Sequence, residues 1–186
     1  MPWVAAAENK KWFASAGKDH KIRIYDFDQG EIVREWNLEA DLETICDMQF
    51  ILDDRYLVVM TYSGKVNYQI ICVEDGAAVY SYSIENSAAD PHGLGDGSRY
   101  SPIKIQEEEN SNRIYLMNEW YRSSGVCIDT KSWESIYEVP SLRCVLNNQT
   151  CIISDSFKEL LQIPCLSLEK LIEMGNAALM DGKENG

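Results

Sequence analysis

The stretch from Ala14 to Val33, ASAGKDHKIRIYDFDQGEIV, contains short apolar segments on either side of a tight polar turn, and a second turn follows at once. The first turn covers residues 18–21 and the second covers residues 28–31. Short segments rich in Ile, Val and Tyr, bounded by Gly and Asp, are typical of strands joined by hairpin turns. The stretch is therefore either an isolated hairpin or one unit of a repeated four-stranded sheet.

Short strand-like segments recur along the chain and are separated by turns such as LDDR, YSGK and VEDG. Many short strands with frequent turns indicate an all-β sandwich, barrel or propeller. No segment before residue 166 has the periodicity of a helix. Strands are predicted near Trp3–Ala7, Trp12–Ala16, Ile22–Asp26, Ile32–Asn37, Ile45–Ile51, Tyr56–Tyr62, Val66–Cys72, Ala77–Ile84, Ile103–Gln106, Arg113–Glu119, Val126–Asp129, Glu134–Val139, Arg143–Leu146, Thr150–Ser154 and Leu160–Ile163.

A repeat favours the propeller among these three architectures. Candidate turns between the second and third strand of successive units align Asp19, Ser63, Ser124 and Asp155, at intervals of 44, 61 and 31 residues. The mean interval of about 45 is close to the length of one propeller blade. Residues 89–101 lie in the longest interval, and their Gly, Asp and Ser content predicts a loop insertion between blades. The predicted blades cover about residues 1–41, 42–88, 102–140 and 141–166.

The end of the chain changes character after residue 166. Ser167 is suited to cap the start of a helix, and apolar residues then recur on one helical face. These features predict a C-terminal amphipathic helix over residues 167–181, followed by a frayed tail at 182–186. The apolar residues of this face are Leu168, Leu171, Ile172 and Leu179.

The opening stretch resembles the WD-repeat β-propeller pattern. Ser15 is similar to the Ser or Thr of the second strand, Asp19 holds the place of the turn aspartate, and Tyr25-Asp26 holds the place of the Trp-Asp dipeptide. In that family these residue types form a buried hydrogen-bond network with a His from the preceding loop. The resemblance implies a structural network of Ser15, Asp19 and Tyr25 here, without a counterpart for the His.

Later segments carry the resemblance more weakly, in the turn glycines Gly64, Gly76 and Gly125. The segment LLQIPCLSLEKLIEMGNAAL resembles the close of large bacterial WD-repeat proteins, many of which carry an upstream signalling domain. The chain itself has no GxxxxGK[ST] phosphate-binding loop. The resemblance implies a non-enzymatic protein-interaction scaffold or sensor module, of bacterial origin and part of a larger propeller or assembly.

Composition limits the classes of partner. The 186 residues are 45% hydrophobic and carry a net charge of −13, which weighs against nucleic acid because phosphate binding needs excess Lys and Arg. No apolar run approaches the roughly 18 residues of a membrane span, and the N-terminus does not resemble a secretory signal. A cytoplasmic location is therefore predicted. The six cysteines lack CxxC or metal-ligand spacing and are predicted to be small buried hydrophobes in a reducing compartment.

The sequence contains few of the residues and motifs that enzyme active sites use. The chain has two histidines, His20 and His92, and no GxSxG elbow, so no catalytic residue is predicted. Asp90, His92 and Asp96 in the loop ADPHGLGDGS are residue types that bind divalent cations, but the same composition is typical of any exposed loop. No metal or cofactor is predicted. A propeller enzyme or metal-dependent ligand binder that uses this loop remains the alternative.

Trp120, Tyr121 and Arg122 form a second candidate binding group, beside the third turn. Exposed Trp and Arg are common anchors in protein interfaces, although a Trp near a strand end more often packs between blades. That packing role is also predicted for Trp12, Trp36 and Trp133. The predicted partner is a protein or a set of missing propeller blades. A protein partner would be bound chiefly by the loop at residues 90–101 and by the turns between the second and third strands, with this group as a further candidate.

The number of blades is low for a closed propeller. Closed rings have about four to eight blades, whereas the repeat here gives three and part of a fourth. An unclosed fan leaves unpaired edges that favour association. The chain is therefore the C-terminal part of a longer propeller, a half that associates with another copy or another half-propeller, or a small four-bladed ring that strand Trp3–Ala7 helps to seal.

Overall fold

The computed structural model of the chain describes residues 3–9, 11–17, 19–38, 44–62, 66–84, 104–108, 111–117, 124–140, 142–147, 150–156 and 159–164. All the regular secondary structure assigned in these ranges is β-strand, which confirms the predicted all-β class. Each predicted strand has a counterpart within two residues at either end. The predicted helix at 167–181, the tail at 182–186 and the loop at 89–101 lie outside the described residues.

The strands alternate with short turns. They are β1 (Trp3–Ala6), β2 (Trp12–Ala16), β3 (Lys21–Asp26), β4 (Ile32–Asn37), β5 (Thr44–Ile51), β6 (Tyr56–Tyr62), β7 (Val66–Cys72), β8 (Ala78–Ile84), β9 (Lys104–Glu107), β10 (Arg113–Met117), β11 (Ser124–Asp129), β12 (Glu134–Pro140), β13 (Leu142–Asn147), β14 (Thr150–Ser156) and β15 (Glu159–Pro164).

These strands form four antiparallel sheets in which each strand pairs with the next along the chain. Strands β1–β4, β5–β8 and β9–β12 make three four-stranded sheets, and β13–β15 make a three-stranded sheet within the described part of the chain. Strand β1 lies against β5, and β13 lies against β10 and β11, so consecutive sheets are stacked. The fold is a partial β-propeller, and we call the sheets blades 1 to 4.

The described part of β1 pairs in blade 1 alone. Its residues pair with β2, and the three-stranded order of blade 4 does not include it. The arrangement in which strand Trp3–Ala7 helps to seal a four-bladed ring is therefore not the one observed among the described residues.

Apolar side chains are buried between consecutive blades, and we call these layers seams 1–2, 2–3 and 3–4. Each seam is a cluster with buried residues from both of its blades. This arrangement follows from strand alternation, which gives every blade two faces that can each pack on a neighbour. Pairs of residues that share a cluster are Ile24 with Leu57 in seam 1–2, Ile70 with Ile128 in seam 2–3, and Cys127 with Leu142 in seam 3–4.

The described tryptophans Trp12, Trp36 and Trp133 pack at the seams, as predicted. Trp36 contacts the cluster of seam 1–2, and Trp133 contacts that of seam 2–3. The Trp133 ring meets the Tyr56 ring edge-on, with centroids 4.7 Å apart. Among the cysteines, Cys127 is buried and Cys144 is partly exposed, and neither forms a disulfide.

The turn after the third strand has the same backbone form in three blades. In blades 1 and 3 the last strand residue, Asp26 or Asp129, accepts hydrogen bonds through Oδ1 from the amides two and three residues later, at 2.7–3.1 Å. Such a side chain stabilises a tight turn by binding its own backbone. Four residues after the strand ends, φ is positive in each blade. The residues at this position are Gly30 (φ 66°), Gly76 (φ 77°) and Trp133 (φ 56°).

Candidate functional site: the open face of blade 1

One face of blade 1 has no blade packed on it among the described residues. Ala14, Ile22 and Ile24 turn towards seam 1–2, and strand alternation places their sequence neighbours on the opposite side of the sheet. We call this opposite side the open face. It consists of Val4, Ala6, Phe13, Ser15, Arg23, Tyr25, Phe27, Ile32, Val33 and Glu35.

Strand register arranges most of the open face in two rows that cross all four strands. The apolar row lies towards the Asp26 turn, and the polar row lies towards the turn that contains Asp19. Cross-strand neighbours in a row stand close enough for their side chains to interact. The apolar row is Ala6, Phe13, Tyr25 and Ile32, and the polar row is Val4, Ser15, Arg23 and Glu35.

Aromatic rings dominate the apolar row. The rings of Phe13 and Tyr25 are stacked, with centroids 4.6 Å apart and planes within 2° of parallel. Phe27 meets Phe13 edge-on at 6.4 Å. Phe27 nevertheless remains 66% exposed, and Val4 in the neighbouring row is 63% exposed. The open face therefore holds a cluster of aromatic rings in contact with solvent. Aromatic residues anchor many protein interfaces.

Ion pairs fill the outer half of the polar row. The Arg23 guanidinium binds Asp19 Oδ2 at 2.6 Å and Glu35 Oε2 at 2.7 Å, and Lys21 Nζ binds Glu35 Oε1 at 2.5 Å. The hydrogen bond from Arg23 holds the pKa of Asp19 below its usual range, and the bond from Lys21 does the same for the pKa of Glu35. Two cations and two anions cancel, so this part of the face has no net charge.

The open face occupies positions that are buried in blade 2. Asp26 and Cys72 both end the third strand of their blade, so Phe27 corresponds to Val73. Phe13 pairs with Tyr25 as Leu57 pairs with Ile71. Val73 is 2% exposed within seam 1–2, against 66% for Phe27. The open face is therefore built like a seam but lies in solvent.

Polar side chains also bind the backbone across each seam. Asp54 of blade 2 is 4% exposed, and its two carboxylate oxygens accept hydrogen bonds from the amides of Glu8 and Asn9 in blade 1, both at 2.9 Å. Glu107 of blade 3 accepts a hydrogen bond from the amide of Leu52 in blade 2 at 2.8 Å. These contacts fix one blade against the next in a defined position.

Seam 3–4 uses an amide side chain for the same purpose. Gln106 Oε1 accepts a hydrogen bond from the Val145 amide at 2.9 Å, and Gln106 Nε2 donates to the Val145 carbonyl. The side-chain amide thus pairs with the backbone as a neighbouring strand would. Close by, the Cys127 thiol lies among Tyr115, Tyr137 and Arg113, and burial raises its pKa. A buried thiol with a raised pKa suits packing rather than nucleophilic chemistry.

The predicted network residues Ser15, Asp19 and Tyr25 all lie on blade 1. Among these described residues, no hydrogen bond joins the Asp19 carboxylate to the hydroxyl of Ser15 or of Tyr25. Asp19 binds Arg23 instead, since a guanidinium forms a stronger, charge-assisted hydrogen bond. Ser15 lies opposite Arg23 in the sheet. Tyr25 stacks on Phe13.

Both candidate binding groups predicted from the sequence lie outside the described residues. In the part of the chain that is described, no group of three or more His, Cys, Asp and Glu is placed to hold a metal ion. Within the same ranges, no helix has the length and apolarity to span a membrane. The residues outside are Asp90, His92, Asp96, Trp120, Tyr121 and Arg122.

Sequence reasoning misses the open face as a surface. It assigns Phe13, Phe27 and Val4 to strands or turns and not to a binding site. Aligning blades 1 and 2 at the ends of their third strands, Asp26 and Cys72, could have found it. In that alignment aromatic residues of blade 1 occupy positions where blade 2 has aliphatic residues.

Comparison with known proteins finds similarity to a solved structure but to no family model. No family model matches the chain. No curated protein matches it. The chain is similar to the β-propeller domain of Cps50 (Swd1) from Myceliophteria thermophila, with 12% sequence identity and a TM-score of 0.49 over 86% of this chain and 50% of that chain. The chain thus spans half the length of that structure.

Proposed function

We propose that the chain is a non-enzymatic protein-interaction module of the WD-repeat type, which binds a protein partner through the open face of blade 1. The observation that carries this proposal is the exposure of Phe27 at a position where blade 2 buries Val73. Apolar surface of this kind in contact with water favours association.

The chemistry of the face supports binding rather than catalysis. Ser15 is its one hydroxyl on an aliphatic side chain, and its cross-strand neighbours are Val4 and Arg23 rather than a general base. The charged groups of the polar row already neutralise each other, so an uncharged sheet surface is the complementary partner. The loop at residues 90–101, the Trp120–Arg122 group, a cytoplasmic location and a bacterial origin remain predictions from the sequence.

The test compares Phe27→Asp with a matched control. Ile136→Asp changes another exposed apolar residue, 38% exposed, on a strand of blade 3 that lies away from the open face. The unchanged chain and each variant are used to capture proteins from an extract of the source cells. The captured proteins are identified and purified, and calorimetry measures their affinity for the two variants. Phe27→Asp should weaken binding at least about tenfold, and Ile136→Asp should leave it unchanged.

Two results would contradict the proposal. If Phe27→Asp and the unchanged chain have equal affinity for every purified partner, including another copy of the chain, the open face is not the binding surface. Turnover of a substrate by the purified chain would show that the module is an enzyme. Circular dichroism of both variants confirms that they are folded.

A further inference from the structure

We infer that the partner of the open face is a different protein that presents a β-sheet carrying a tryptophan, and that the indole of this tryptophan packs on Gly30. This inference rests on the proposed function, because it names the chemistry of the partner that the same surface binds. Gly30 belongs to the turn at residues 28–31, which borders the apolar row, and we call this turn the Gly30 corner.

The turn after the third strand has the same backbone hydrogen bonds in blades 1 and 2. The Gly30 amide donates to the Asp26 carbonyl, and the Gly76 amide donates to the Cys72 carbonyl, both at 2.9 Å. Both glycines have a positive φ. The Gly30 corner therefore presents to solvent the kind of surface that the Gly76 turn presents to blade 1.

In seam 1–2 the Gly76 turn is covered by two side chains of one strand. The indole of Trp36 lies where a side chain at Gly76 would be. Beside it, Arg34 Nε donates a hydrogen bond to the Glu74 carbonyl. Because Arg34 and Trp36 are two residues apart on β4, they lie on the same face of blade 1. A sheet that packs on such a turn therefore contributes an indole and a cation from the same strand.

Blade 3 fills the equivalent corner of seam 2–3 in another way. Trp133 stands at the turn position of the two glycines, and its ring packs on the Tyr56 ring of blade 2. An indole thus fills the corner in both seams, and it comes from the preceding sheet where the turn residue is glycine. Blade 1 has the glycine, so we assign the missing indole to the sheet that packs on the open face.

The Gly30 corner has the room that such an indole needs. A Cβ added at Gly30 would meet no atom within 4 Å, and Gly30 itself is exposed. The neighbouring Phe27 ring is 66% exposed. An indole on Gly30 would therefore also cover part of Phe27, and this would remove apolar surface of both partners from water.

Charge indicates a cation beside the indole. The polar row of the open face is neutral, but Asp28 and Glu31 of the Gly30 corner are acidic and exposed. The Asp28 carbonyl corresponds to the Glu74 carbonyl that accepts from Arg34. Electrostatic complementarity therefore favours a partner strand with Arg or Lys two residues before its tryptophan, as in the Arg34–Trp36 pair.

A second copy of the chain is a poorer source of this indole. The tryptophans of the described residues already pack at seams: Trp3, Trp12 and Trp36 at seam 1–2, and Trp133 at seam 2–3. Any of these would have to leave its own seam to reach Gly30 of another copy. We therefore assign the open face to a different protein.

The test uses a purified protein that binds the unchanged chain and is lost by Phe27→Asp. Each tryptophan of that protein is changed to Ala in turn, and calorimetry measures its affinity for the unchanged chain and for Gly30→Asn. Asn tolerates a positive φ, so Gly30→Asn covers the corner with little strain. One tryptophan change and Gly30→Asn should each weaken binding at least about tenfold, and Ile136→Asp should leave it unchanged.

A double-mutant cycle identifies the contact. The tryptophan change and Gly30→Asn together should weaken binding little more than either does alone, because each removes the same contact. Changing the basic residue two positions before that tryptophan to Ala should cause a smaller loss. This smaller loss should shrink between 0.1 and 0.5 M NaCl, because salt screens the attraction to the acidic corner.

Stability measurements provide the matched control. Gly30→Asn should change the melting temperature of the chain by less than about 2 °C, because its side chain enters open space. Gly76→Asn should lower the melting temperature by at least about 4 °C, because Trp36 already occupies that corner. Equal melting temperatures of the two variants would contradict the role of Gly76 as the occupied counterpart of Gly30.

The outcomes separate this inference from the proposed function. If Phe27→Asp loses the partner while Gly30→Asn and every tryptophan variant bind normally, the open face remains a binding surface and only the indole contact is wrong. Additive losses in the cycle also overturn the inference, because the two groups then act at separate places. If the protein lost by Phe27→Asp is another copy of this chain, the assignment to a different protein is wrong. If Phe27→Asp loses no partner, the proposed function fails and the inference fails with it.

Discussion

Trp36 in β4 of blade 1 lies against Gly76 in the last turn of blade 2, so closely that a Cβ added at Gly76 would stand 1.8 Å from the indole Nε1. Next to this contact, Arg34 Nε donates a hydrogen bond to the Glu74 carbonyl at 2.9 Å. A glycine is therefore required at this turn for two reasons: its φ of 77° and the ring that occupies the space of a side chain.

The first prediction separates these two reasons. Gly30 has the same turn position and a φ of 66°, but no atom lies within 4 Å of its added Cβ. Gly30→Ala should lower the free energy of unfolding by about 1 kcal/mol through backbone strain alone. Gly76→Ala should lose about 1–3 kcal/mol more, because Trp36 must move. Urea unfolding of both variants measures the difference, and equal losses would contradict the packing of Trp36 on blade 2.

The second prediction concerns the carboxylate that joins blades 1 and 2. Asp54→Ala leaves the amides of Glu8 and Asn9 without their acceptor and should lower the free energy of unfolding by about 1–3 kcal/mol. Asp53→Ala is the control, since Asp53 is exposed and has a similar φ, 55° against 63°. Thermal unfolding should show a clear loss for the first variant only. Similar melting temperatures for the two variants would speak against this contact between blades.

The third prediction tests the pairing of Gln106 with Val145. In Gln106→Glu a carboxylate oxygen replaces the donor Nε2 and faces the Val145 carbonyl. The repulsion between these oxygens raises the pKa of the new carboxyl and should lower the free energy of unfolding by about 1–3 kcal/mol at neutral pH. The loss should shrink at lower pH, where the protonated acid can donate again.

The melting temperature of each Gln106 variant is compared with that of the unchanged chain at pH 7.5 and 4.5. Gln106→Met, which has no titrating group, should differ from the unchanged chain by the same amount at both pH values. If the deficit of Gln106→Glu is also constant with pH, the side chain does not pair with Val145 as described.

The fourth prediction concerns pH and the ion pairs of the polar row. The pKa values of Asp19 and Glu35 are lowered in the folded chain, so their stabilisation is present above their unfolded values, near pH 4, and is lost as pH falls through the folded values. Arg23→Gln should therefore lower the melting temperature at pH 7, and the difference should vanish once both carboxyls are protonated.

Salt provides the control for this pH dependence. Because the ion pairs around Arg23 are exposed, 1 M NaCl should reduce the effect of Arg23→Gln at pH 7. A deficit that persists unchanged in acid and in salt would mean that Arg23 stabilises the sheet by packing rather than by charge.

The strands could be predicted because their determinants are local. The segment from Ile22 to Asp26 alternates buried and partly exposed residues and is followed by a turn with glycine at its positive-φ position. The same alternation recurs along the chain, so the repeat predicted stacked sheets as well as individual strands.

The candidate site was harder to predict because exposure depends on which blade is a neighbour. Phe27 and Val73 occupy the same position after a third strand, and only the position of the blade in the series decides which of them is buried. The expected Ser15–Asp19–Tyr25 network was hard to judge for another reason, which is that a second side chain competes for the Asp19 carboxylate. Arg23 stands close enough to take the Asp19 carboxylate, which the family resemblance did not indicate.

The central claim is that the open face of blade 1 is a seam surface on which no other described part of the chain packs. Photocrosslinking from position 27 is its most direct measurement. A benzoylphenylalanine in place of Phe27 should join two polypeptides, and mass spectrometry should find the crosslink in a strand of a partner sheet. The same group at Ile136 should give no such product. Crosslinks from position 27 that form only within one chain, to blade 2 or blade 3, would contradict the stacking order and the open face with it.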